Sequence, residues 1–167
     1  MSVLVTDERP RDAAAIRTLV ARAFRDAPYS DGREPEIVDA LRASGELTFS
    51  LVAVQDGVVV GHLAASPATI GGQAGWAGIG PVAVAPDLQR RGIGSALVRA
   101  ALERLRREGA AGAVLVGDPA FYGRLGFAPA LGCHWRDIEP PSVQVASLSG
   151  SQPSGAVRYS PAFEALA

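Results

Sequence analysis

Midway along the chain the hydrophobic period changes from that of a strand to that of a helix, and this change constrains the fold more than any other feature. Val82 and Val84 alternate in a short β-branched run bracketed by Pro81 and Pro86, the pattern of a strand. From Ile93 onward Leu97, Val98, Ala101, Leu102 and Leu105 recur three and four residues apart, which places them on one face of a helix beginning near Gly92. Gly109 stops that helix, and residues 113–116 form another short apolar run. Strand, helix and strand joined by short links imply a parallel pair. Upstream, Gln55-Asp56-Gly57 between the β-branched runs 47–54 and 58–65 is a hairpin signal. A second turn over 70–75 returns the chain into a strand over 76–84. An antiparallel meander that turns locally parallel can splay at that change, and an extended ligand can insert there.

Between the strand and the helix lies Gln89-Arg90-Arg91-Gly92-Ile93-Gly94. The first turn of a helix leaves backbone N–H groups unpaired, and the aligned peptide dipoles place about half a positive charge there. Glycines without a Cβ let a phosphate approach the main chain, and the arginines add full charges with forked donors. The turn therefore reads either as a diphosphate site or as a glycine turn beside two solvated arginines. Two other phosphate motifs fit less well. The chain contains no lysine, which the Gly-x-x-x-x-Gly-Lys loop requires, and Leu97 stands where the dinucleotide fingerprint needs a third glycine.

The segment 82–98 resembles the acyl-CoA-binding signature of the GNAT superfamily of N-acetyltransferases, [Gln/Arg]-x-x-Gly-x-[Gly/Ala], matched by Gln89, Gly92 and Gly94. A second segment, Asp118-Pro119-Ala120-Phe121-Tyr122-Gly123-Arg124-Leu125-Gly126-Phe127, resembles the family's later Phe-Tyr-x-x-x-Gly-Phe element. The wording is similar to a bacterial branch of small N-acetyltransferases. The resemblance implies an α/β fold with a mixed, mostly antiparallel central sheet, a splayed parallel pair and flanking helices. It implies acetyl-CoA as acyl donor, bound by Val82, Ala83, Val84, Gln89, Arg90, Arg91, Gly92, Ile93, Gly94 and Ser95, and direct transfer to a primary amine of a small molecule or peptide. At the family's general-acid position stands Tyr122, a hydroxyl that stays protonated near neutrality. Many family members carry a glutamate base on the strand before the turn. Gly80-Pro81-Val82-Ala83-Val84 has no acid, so Glu34, Glu36, His134 or a water is left for the base. A non-catalytic acyl-CoA sensor, a transferase for a longer acyl chain and a different nucleotide-binding α/β protein are the rival readings.

The remaining sequence sets bounds. At 167 residues the chain is read as a single domain, 1–167. It is 48% hydrophobic and 20% charged with a net charge of −1, which suggests neither disorder nor a polyanion-binding surface, so nucleic acid is not expected as a partner. Cys133 is the only cysteine, which excludes an internal disulfide and a cysteine-cluster metal site. No apolar run reaches a membrane-spanning length, and the early acids Asp7 and Glu8 do not suit a signal peptide. A soluble, cytoplasmic protein is expected, with a homodimer left open.

A first strand is expected over 2–6, then a helix opening at Pro10 with Ile16, Leu19, Val20, Ala23 and Phe24 on its apolar stripe. A second helix follows over Glu34–Ala43, with Ile37, Val38 and Leu41 inward. Pro67 should interrupt its strand at an edge or a bulge. A short helix is expected over 119–125, a strand over 142–148, and a last segment over 156–159 pairing back. Tyr29, between the first two helices, is a candidate for the acceptor pocket, whereas Trp76, Trp135 and His62 read as packing residues. Cys133 and His134 are adjacent on an extended segment and so point to opposite faces, which argues against a nucleophilic dyad.

Overall fold

The computed structural model describes residues 2–167. In chain order it has β1 (Leu4–Asp7), α1 (Ala13–Phe24), α2 (Glu34–Ala43), β2 (Phe49–Gln55), β3 (Val58–Ile70), β4 (Gln73–Val84) and α3 (Ile93–Arg107). Then come β5 (Gly112–Val116), α4 (Pro119–Tyr122), β6 (Ala128–Pro129), β7 (Cys133–His134), β8 (Val143–Ser147), β9 (Gly155–Tyr159) and α5 (Pro161–Leu166). The sheet runs β1-β2-β3-β4-β5-β8-β6, with β9 alongside β3 and β7 alongside β9. Pairing is antiparallel except between β4 and β5 and between β7 and β9. The mixed sheet with a local parallel pair is the expected one.

Each face of the sheet is covered by the helices whose apolar period matches it. Ile93, Leu97, Val98, Ala101, Leu102 and Leu105 of α3 are all buried against Leu51, Leu63, Ala77, Ile79 and Leu115. On the opposite face Ile16 and Val20 of α1 and Val38 of α2 pack on Val52 and Ala83. Farther along that face Trp76, Val114, Val143 and Tyr159 form a separate core.

Some boundaries differ from the sequence reading. β1 runs to Asp7, and β4 begins at Gln73 because Ile70 pairs with Gln73 across a tight turn at Gly71-Gly72. Pro67 does not interrupt β3. On one side it pairs with Ala77 of β4, while on the other β2 has ended opposite Ala65 and β9 begins opposite Ala68, so Pro67 occupies a local edge where a missing N–H is tolerated.

Candidate active site

The parallel pair is short. Trp76, Ala77 and Gly78 of β4 pair with Gly112, Ala113 and Val114 of β5, and there the pairing stops. β4 continues to Val84 while still paired to β3, with Leu63 opposite Val82 and Gly61 opposite Val84, but its other edge has lost its partner. A register shift between Leu63 and Ala65 bulges β4 at the point of parting. The result is a cleft between β4 and β5, walled on one side by the backbone of residues 79–84.

The N-terminus of α3 opens near the end of that cleft. Gly92 is the N-cap residue at φ 86°, a left-handed conformation that suits glycine, and a side chain placed there would meet no atom within 4 Å. No side chain caps the helix. Its first internal bond runs from the Ala96 N–H to the Gly92 carbonyl, so helical geometry leaves the amides of Ile93, Gly94 and Ser95 without an acceptor in the helix. Arg90 and Arg91 are exposed and make no ion pair among the described residues, while Gln89 donates to the Val84 carbonyl at 3.3 Å and ties the turn to β4. Unpaired amides beside two exposed arginines make a positively charged helix start of the kind that accepts a phosphate.

The structure gives Gly94 a reason of a different sort. A Cβ there would lie 3.3 Å from Phe121 Cζ and 3.7 Å from Val84 Cγ2, so Gly94 is the seat of the Phe121 ring as well as part of the turn. Its neighbour Tyr122 is seated on the other wall. The Tyr122 ring lies against Gly117, just past the end of β5, so closely that a Cβ on Gly117 would be 2.6 Å from it. α4 thus bridges the mouth of the cleft, resting on the start of α3 through Phe121 and on the end of β5 through Tyr122. Asp118 caps α4 by accepting from the Ala120 N–H at 2.9 Å. Edge-to-face contacts with Phe121 (4.8 Å between centroids) and Phe127 (5.7 Å) fix the Tyr122 ring. Burial, with smaller contributions from Tyr29 and Asp118, pushes its hydroxyl pKa up to about 12. Tyr122 therefore holds its proton firmly, while Tyr29 is exposed in the α1–α2 connection with its ring edge-on to Phe24.

The other candidates scatter. Glu34 is partly buried at the start of α2 and accepts from the Ser30 hydroxyl at 2.6 Å, whereas Glu36 is exposed. His134 is exposed on β7 while Cys133 is buried and donates to the Pro153 carbonyl at 3.4 Å, so the two face apart as extended geometry requires. His62 is fully buried, with Nε2 2.7 Å from Ser50 Oγ. Trp76 is buried and Trp135 packs on Tyr159 and Phe163, both as core residues. Asp118 belongs to the second motif, where an Asp before a Pro at a helix start signals a cap, whereas Gly117, the seat of the Tyr122 ring, carries no such local signal.

This constellation matches known proteins. Residues 13–127 fit the profile of the acetyltransferase (GNAT) family. The chain belongs to the GNAT family. The uncharacterized N-acetyltransferase YhbS of Escherichia coli strain K12 is 38% identical over 159 residues, spanning 92% of each chain. The crystal structure of a GNAT family acetyltransferase from Brucella melitensis in complex with acetyl-CoA superposes with a TM-score of 0.85 at 45% identity, covering 97% of this chain and 98% of that one. That of YhbS from Escherichia coli in complex with CoA gives a TM-score of 0.86 at 33% identity over 97% and 92%. As a GNAT N-acetyltransferase, the chain carries both family motifs on the two sides of one cleft.

Proposed function

We propose that the chain transfers the acetyl group of acetyl-CoA directly to a primary amine of a small molecule or peptide. The observation that carries this reading is the bridging position of α4, which sets the Tyr122 side chain at a cleft whose far end is the uncapped start of α3. The two neighbours solved with acetyl-CoA and CoA support the choice of donor.

The diphosphate sits on the amides of residues 92–95 with Arg90 and Arg91 beside it, and the pantetheine arm lies along the unpaired edge of β4 as a strand would. A free N–H of that edge donates to the thioester oxygen. The amine lone pair attacks the carbonyl carbon, and negative charge builds on this oxygen, where a fixed backbone donor stabilises it. As the tetrahedral species collapses, the C–S bond breaks and the Tyr122 hydroxyl gives its proton to the departing thiolate. The amine nitrogen loses a proton to water. No carboxylate lies on the splayed part of β4, so a water takes the place of the strand base. Tyr29 lines the acceptor side.

The experiment is a thiol-release assay over a panel of amines, with acetyl-CoA affinity measured in parallel. Tyr122→Phe should keep CoA affinity and slow turnover by about a hundredfold, the scale of a lost general acid. Turnover at the wild-type rate would make Tyr122 structural. Binding without amine-dependent thiol release in the wild type would make the domain a sensor.

A further inference from the structure

The motif that carries Tyr122 is gripped from outside by a residue with no place in either family motif. The antiparallel ladder between β5 and β8 ends at the pair Val116 and Val143. One step beyond, the Gly117 N–H still reaches the Ser142 carbonyl at 3.0 Å, but the Gly117 carbonyl has passed the last strand partner. A side chain takes over. Gln144 of β8 stands opposite Leu115, is fully buried, and donates its amide N–H to the Gly117 carbonyl at 3.0 Å. Leu115 belongs to the α3-side core against which Tyr122 packs, so by strand alternation Gln144 lies on that same side of the sheet.

The placement is costly in a telling way. The Gln144 side-chain carbonyl is itself buried and finds no partner among the described residues. An apolar side chain of equal size would bury no unpaired amide oxygen, but it would leave the Gly117 carbonyl without its donor. What the amide adds is its hold on Gly117, and Gly117 is the surface on which the Tyr122 ring rests, with a hypothetical Cβ 2.6 Å from Cε2 and 3.0 Å from Cδ2. Any drift of the Gly117 peptide is passed directly to that ring.

We propose that Gln144 is a positioning residue for acetyl transfer, holding the Gly117 peptide so that Tyr122 is aimed at the departing sulfur. This rests on the reading of Tyr122 as the general acid. Gln144 touches neither donor nor acceptor and acts through the turn.

The test is a double-mutant cycle in the full chain, reading kcat, KM and CoA affinity for Gln144→Met, Tyr122→Phe and the pair. Methionine keeps the length and volume and removes the donor. Gln144→Met alone should lower kcat about tenfold, short of the hundredfold that a misplacement near 1 Å can cause, with CoA affinity unchanged. In the Tyr122→Phe background the same change should cost nothing further, because no proton donor is left to aim. An equal loss in both backgrounds, or an unchanged kcat, overturns the positioning role. A wild-type rate for Tyr122→Phe alone overturns the acid reading, and with it this one, and is recognised without reference to Gln144. Should Gln144→Met not fold, Gly117→Ala displaces the ring seat without touching the amide and should show the same dependence on the Tyr122 hydroxyl. A loss that persists undiminished with Phe at 122 counts against the proposal.

Discussion

Two polar clusters flank the same sheet, and they are built on opposite plans. Beneath α2, Arg42 donates to both oxygens of Glu8 at 2.9 and 2.8 Å, and the Ser50 hydroxyl donates to Glu8 and lies 2.7 Å from His62 Nε2. Burial alone would push the Glu8 carboxyl up, but its hydrogen bonds to Arg42 and Ser50 outweigh that and hold it below the usual carboxylate range. The other cluster, at the start of α3, has uncapped amides and arginines without carboxylates. In the first cluster the polar groups answer one another, with only His62 Nδ1 buried without a partner among the described residues; in the second they are left for something else to answer. Charge near a helix is thus no guide to function by itself, and the informative sign is whether its partners are already inside the protein.

If the contrast holds, acid should damage one cluster and spare the other. Burial lowers the pKa of His62 to about 4, from an ordinary value near 6.5. The unfolded chain therefore binds the extra proton first, and stability falls as pH drops from 6.5 toward 4. The loss amounts to roughly 3 kcal/mol, with Glu8 adding to it at lower pH. Chemical denaturation across that range reads it directly. A His62→Leu variant should flatten the slope, and an unchanged slope would mean that the buried imidazole is not its source.

The sharpest separation is Ser95→Glu. A carboxylate in the first turn of a helix favours folding by about 0.3–1 kcal/mol, yet it places negative charge where the diphosphate is proposed to bind. Melting temperature should hold or rise while CoA affinity falls by about a hundredfold, a loss of roughly 2.7 kcal/mol. Affinity and stability moving down together would assign that turn to the fold alone. The smallest effect is expected of Arg90→Ala, which should weaken CoA by about three- to tenfold at low salt and less at high salt, with stability within about 0.5 kcal/mol of wild type. A loss that does not respond to salt would mean that Arg90 is not an electrostatic contact.

Much of the donor side was legible because its signals are local. The period of Ile93 to Leu105 identified the buried face of α3, Asp56-Gly57 marked the hairpin, and the short links around α3 required β4 and β5 to run parallel. The splay follows from that direction change. The rest depends on pairings distant in sequence. Pro67 looked like a strand breaker until β2 and β9 were seen to end and begin on either side of it. Gly94 read as room for phosphate, and only the fold showed Phe121 resting there. Gln144 has no local signature at all, since one glutamine in an alternating strand reads as surface. Its reach to Gly117 exists only because β8 lies beside β5.

The early parting of β4 from β5 leaves an unpaired strand edge in the middle of a sheet rather than at its rim. Such an edge is a standing invitation to another extended chain, which proteins commonly blunt or cover. Here it lies between two strands of one sheet, a setting that suits a thin linear molecule better than a folded neighbour. Without donor, the β4 amides that face the gap beyond Gly78 should exchange their hydrogens with solvent far faster than those still laddered to β5. With donor seated, the protection should spread along the strand. Protection that spreads in this way would make the donor a temporary strand, with each round of turnover undoing and remaking part of the enzyme's own secondary structure.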